Sequence, residues 1–63
     1  MSIDQKLEVI LNRALPKESN IKLEVNATPS ALGYPVTIIK NGIGLETFHI
    51  HLHSAIRLTE EGY

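Results

Sequence analysis

Sixty-three residues with no cysteine, 43% apolar side chains and six basic against seven acidic groups describe a folding chain of near-neutral charge. That composition excludes a disulfide-stapled scaffold, a thiolate metal centre and a partner held chiefly by a strong positive field, as nucleic acid is. A chain this short buries only about 60% of the surface its unfolded form exposes, so residues 1–63 are expected to form one small domain with a thin core. The start, Met1-Ser2-Ile3-Asp4-Gln5-Lys6, lacks the basic and apolar regions of a signal peptide, and the apolar runs are far shorter than a membrane span. The expected setting is cytoplasmic, with no membrane partner.

Ile3, Leu7, Ile10, Leu11 and Ala14 recur at steps of three and four, which predicts a helix with one apolar side. Ser2 and Gln5 have the spacing of a capping box, and Asp4 and Arg13 suit the positive and negative ends of the helix dipole. Pro16 stops the helix at or before Leu15, because its ring opposes a helical conformation in the preceding residue. Lys17 to Asn20 read as a polar connection.

Ile21-Lys22-Leu23-Glu24-Val25 alternates strictly and predicts a strand with one wet face. Asn26 to Gly33 is a loop by composition. Tyr34–Ile39 and Ile43–His53 are the next two strands, joined at Lys40-Asn41-Gly42. Asn-Gly favours a two-residue type I′ turn, but a regular ladder from that turn would put Val36 and Ile38 on the face of His49 and His51. A three-residue loop with Gly42 left-handed in a bulge restores a consistent apolar face. Tyr34 then opposes Phe48, and Val36 and Ile38 share a side with Phe48, Ile50 and Leu52. The expected central core is Leu7, Ile10 and Leu11 against Leu23, Ile38 and Ile50.

From Ser54 onward the pattern admits two readings. Ala55–Leu58 continues a strand past a bulge or begins a short helical turn capped by Ser54. Glu60–Tyr63 is expected to fray. The fold class that follows is α+β: an N-terminal helix packed on a small, mainly antiparallel three-stranded sheet in the order α-β-β-β.

All three histidines lie in His49-Ile50-His51-Leu52-His53. On an extended strand they would share one face at steps of about 6.6 to 7 Å, and two neighbours could hold zinc or nickel if another element supplied a third ligand. His49, His51 and His53 are therefore the candidate metal-binding or pH-sensitive group, against the simpler reading that they form a polar outer face. No nucleophile with a base and an orienting partner is legible, so no catalytic residue, small-molecule substrate or cofactor is assigned. A β-ribbon using Lys22 or Lys40 on nucleic acid is physically allowed but has few basic groups to use.

The favoured class is a small non-enzymatic protein-interaction or regulatory module that self-associates. One helix covers one side of a three-stranded sheet, and Ile39, Ile43 and Leu45, beside Thr37 and Thr47, are expected on the other side near the hairpin. Ile39, Ile43, Leu45 and Thr47 are thus the candidate interaction residues, with a homodimer as the expected assembly and a different protein as the alternative partner.

Overall fold

In the computed structural model, which describes residues 2–61, the elements run α1 (Ile3–Arg13), β1 (Ile21–Val25), β2 (Tyr34–Lys40), β3 (Ile43–Ile50) and α2 (Leu52–Glu61), with a 3₁₀ turn at Lys17–Ser19. The Ser2 N–H donates to Gln5 Oε1 at 3.2 Å, and Asp4 and Arg13 occupy the first and last turns of α1. The helix stops at Arg13, with Ala14 as its cap, three residues ahead of Pro16. After the 3₁₀ turn, Asn20 takes a left-handed conformation (φ 57°) that reverses the chain into β1. Asparagine bears that conformation more easily than most residues with a Cβ.

The three strands form one antiparallel sheet in the order β1-β2-β3. Leu23 pairs with Ile38 and Val25 with Val36, so the apolar members of β1 and β2 share a face. On the other face the hydroxyl oxygens of Thr37 and Thr47 approach to 3.1 Å, a cross-strand hydrogen bond.

The hairpin differs from expectation. Its turn has two residues, Asn41 (φ 52°) and Gly42 (φ 80°), closed by the Lys40–Ile43 pair. Positive φ at both positions is the requirement of a type I′ turn. The face is corrected further along: Ile39 pairs with Gly44 but Ile38 pairs with Glu46, leaving Leu45 as the extra residue of a bulge. From there Val36 opposes Phe48 and Tyr34 opposes Ile50, rather than Tyr34 opposing Phe48. Gly42 is left-handed as expected, and Val36, Ile38 and Phe48 share a side. The slip that joins them lies within β3 and not in the loop.

The second difference is at the C-terminal side. The strand expected to reach His53 ends at Ile50, and Leu52–Glu61 form α2. His51 opens this helix: its carbonyl accepts from the Ala55 N–H at 2.9 Å and its Nδ1 accepts from the His53 N–H at 3.3 Å. Histidine, rather than the expected Ser54, thus stands in the cap position. Glu60 and Glu61 belong to α2, while Gly62 and Tyr63 lie outside the described residues.

Leu7, Val25, Tyr34, Val36 and Ala55 are buried and form the core, with Leu11, Leu23, Ile50 and Leu58 packed around them. One residue of α1, one of α2 and the same face of β1 and β2 meet there, so both helices cover that face. Ile38 lies at the margin and Ile10 is half-buried, which moves the centre toward Val25, Tyr34 and Ala55 relative to the expected set. Gly33 (φ +114°) closes the loop before β2, where its N–H and carbonyl exchange hydrogen bonds with Ser30 at 3.0 and 2.9 Å. Its Cα presses on the Ile50–His51 backbone so closely that a Cβ would collide with the Ile50 carbonyl. A glycine is required at this crossing of loop and strand end.

Candidate functional site

A three-stranded open sheet has two edges, and an edge offers unpaired N–H and C=O groups to any other strand. The bond from the Asn26 N–H to the Pro35 carbonyl at 2.9 Å fixes the phase of the β1–β2 ladder. By alternation along β1, Ile21, Leu23 and Val25 direct their N–H groups away from β2. All three are taken by side chains: Ile21 by Ser19 Oγ at 3.3 Å, Leu23 by Asn12 Oδ1 at 2.8 Å and Val25 by Glu8 Oε1 at 2.8 Å. Asn12 Nδ2 donates in return to the Leu23 carbonyl at 2.8 Å.

The match is metric. Glu8 and Asn12 are four residues apart on α1, a rise of about 6 Å, and Val25 and Leu23 are two apart on β1, a rise of about 6.6 to 6.8 Å. An α-helix running antiparallel to a strand can therefore present one acceptor to each outward N–H in turn. Two polar residues one turn apart beside the Leu7–Leu11 stripe are the sequence signal for this arrangement, and sequence reasoning passed over both. Next to the capped edge, a shallow groove of about 410 Å³ runs between α1 and β1, with Val9, Leu15 and Ile21 among its apolar walls and Lys17 and Lys22 at its margin.

The β3 edge is different. The same alternation carried across β2 turns Glu46, Phe48 and Ile50 toward β2 and leaves Thr47 and His49 pointing outward. Among the described residues no side chain hydrogen-bonds to the outward backbone of Thr47 or His49. The strand holds no lysine, arginine or proline, the residues that commonly guard an edge. It exposes large apolar side chains instead: Ile43 is 65% exposed, Leu45 60% and Phe48 39%.

The expected interaction residues do not form one patch. Ile39 is half-buried and stands with Thr37 and Thr47 on the helix-free face. Ile43 pairs with Lys40 and so belongs to the alternate set, and Leu45 is the bulged residue. What unites Ile43, Leu45 and Thr47 is the strand itself, along its outer edge.

The expected histidine group is likewise dispersed. His49 is on β3, His51 caps α2 and His53 lies in the first turn of that helix, so the shared strand face does not exist. Among the described residues no three His, Asp or Glu side chains gather as a metal site would require. The basic groups are spread as well. Lys22 belongs to the helix-free face, Lys6 and Arg13 to α1, and Arg57 lies 4.0 Å from Glu61 on α2. Among the described residues no helix is long and apolar enough to cross a membrane. Comparisons with protein-family models, curated proteins and solved structures return no match to this chain.

Proposed function

We propose that the protein is a small interaction module that binds an extended segment of a partner by strand addition along β3. The observation that carries this reading is the contrast between the two edges of one sheet. Three side chains occupy every outward N–H of β1, whereas among the described residues no side chain bonds the outward backbone of β3, which is flanked by exposed Ile43, Leu45 and Phe48. In strand addition the backbone bonds supply affinity, and alternate side chains supply selectivity. The role is one of binding, without a chemical step.

Selection from a displayed random-peptide library on the immobilised protein tests the proposal. Peptides with alternating apolar residues are expected to emerge, and their binding is expected to shift the amide signals of Thr47 and His49. Thr47→Pro removes an outward N–H without touching the ladder bonds made through Glu46 and Phe48, and should abolish capture. Peptides that bind this variant equally well, or that perturb the α1–β1 groove instead, would overturn the reading.

A further inference from the structure

Resting on strand addition at β3, we infer that the strand it takes is β3 of a second copy, in a two-fold register centred on Phe48. The bulge divides β3 into a turn-proximal part up to Gly44 and a regular run from Glu46 to Ile50, whose middle residue is Phe48. A second β3 laid antiparallel must match outward residues with outward residues. Any register centred on a residue of the regular run meets that condition. A centre at Glu46 sets two carboxylates face to face, and one at Ile50 carries both outward residues past the strand end, which leaves the centres at 47, 48 and 49.

A centre at Thr47 sets Leu45 against the partner copy's position 49 and drives the ladder into the bulge. A centre at position 49 needs His51, which has left the strand to cap α2. The centre at Phe48 uses only the regular run of both copies, with Glu46 across from position 50, Thr47 from position 49, and Phe48 from itself.

That register is also the one the side chains favour. No charge meets a like charge, since Glu46 faces an isoleucine and His49 a threonine. The two phenylalanines form a non-hydrogen-bonded pair, the closer type, with Cα atoms about 4.5 Å apart. Each brings a ring that is 39% exposed in the single chain. An interface of ordinary size removes about 800 Å² from each partner, under a fifth of the 4499 Å² surface of this chain. The exposed ring of Phe48 and the neighbouring Leu45 supply apolar area at that edge.

The resulting sheet has six strands, β1-β2-β3 followed by its two-fold image, and its outer edges are both β1. Glu8, Asn12 and Ser19 cap each of them. Growth therefore stops at two copies, a closed assembly instead of a filament.

The absence of cysteine makes single-cysteine variants specific reporters. Sedimentation of the full chain at high micromolar concentration should give twice 7.0 kDa. Under mild oxidation, Phe48→Cys should cross-link about tenfold faster than Thr47→Cys or His49→Cys, because its Cα separation lies within disulfide range and self-pairing occurs only at the axis. Thr47→Pro should sediment at 7.0 kDa with an unchanged helical signal. If that signal falls, Phe48→Lys, which would set two cations face to face, replaces it and should give the same mass.

A wild-type chain that stays at 7.0 kDa overturns the second-copy inference. Strand addition then stands or falls separately, on whether Thr47→Pro still abolishes peptide capture. A dimer that cross-links fastest away from position 48 overturns the register, and one indifferent to both Thr47→Pro and Phe48→Lys overturns the use of β3.

Discussion

Asn12 holds Leu23 as a neighbouring strand would, giving Nδ2–H to its carbonyl and taking its N–H on Oδ1, both at 2.8 Å. The same Nδ2 also reaches the Glu8 carbonyl at 2.8 Å, which fixes the amide plane against the helix. A side-chain amide carries a donor and an acceptor side by side, as this pairing requires. Asn12 is a poor helix former by propensity, and its place near the end of α1 is explained by what it does for β1.

Asn12→Ala should therefore cost about 1 to 3 kcal/mol, from the part-buried Leu23 groups left without partners. Asn12→Asp keeps the acceptor but turns a carboxylate oxygen toward the Leu23 and Glu8 carbonyls at the negative end of α1, and should cost at least as much. Urea denaturation measures the loss, and faster amide exchange at Leu23, with little change at Val36, would localise it to the edge. A Leu23 amide that remains equally protected would mean that the bond contributes nothing.

The glycines separate two kinds of constraint. Gly42 has φ +80° with open space where a Cβ would go, whereas Gly33 has φ +114° and the Ile50 carbonyl in the way. Gly42→Ala should cost about 1 kcal/mol, the strain of a left-handed residue with a Cβ. Gly33→Ala should cost clearly more, because backbone must move and the start of α2 moves with it. Thermal melts of the two variants order them, and equal melting temperatures would show that the loop yields freely at Gly33.

What could be read from the sequence was whatever a single period governs. The α1 stripe and the alternation of Ile21–Val25 each have one periodicity and no competitor, and both elements are present. The hairpin carried two conflicting signals, a two-residue turn at Asn41-Gly42 and a face that such a turn would misplace. The structure honours both by inserting Leu45, and a bulge inside a strand leaves no mark in the sequence beyond the nearby Gly44. At the C-terminal side the alternating histidines imposed a period of two across His49–His53. That pattern masked Leu52, Ala55, Ile56 and Thr59, which recur at helical steps. The edge caps left only a partial signal, Glu8 and Asn12 one turn apart beside the apolar stripe: which groups they serve depends on how α1 lies along β1, a tertiary relation.

Leu7 is wholly buried at the centre of the core, while Leu11 packs at its border. Leu7→Ala should cost about 2 to 5 kcal/mol, and Leu11→Ala should sit at or below the lower end of that range. A domain of this size has about 3 to 5 kcal/mol from its core to lose, so the Leu7 variant is expected to be largely unfolded at ambient temperature by circular dichroism. A cooperative melt close to that of the parent would displace Leu7 from the centre.

His51 offers the most selective test of how α2 begins. Its imidazole accepts the His53 N–H at 3.3 Å, a long bond from a side chain that is an unusual cap. Aspartate at this position would bring an oxygen acceptor and a negative charge to the positive end of the helix dipole. His51→Asp should therefore stabilise the chain by about 0.5 to 1 kcal/mol, and His51→Ala should destabilise it by a similar amount. The sign comes from the acceptor and not from metal, so both shifts should persist in the presence of a chelator. Because Ala55 docks α2 into the core one turn later, the gain should appear in global unfolding as well as in helix content. Chemical denaturation of the three proteins, with and without chelator, decides: the order Asp above His above Ala supports the cap, and an unchanged midpoint across the series would show that α2 starts independently of this side chain.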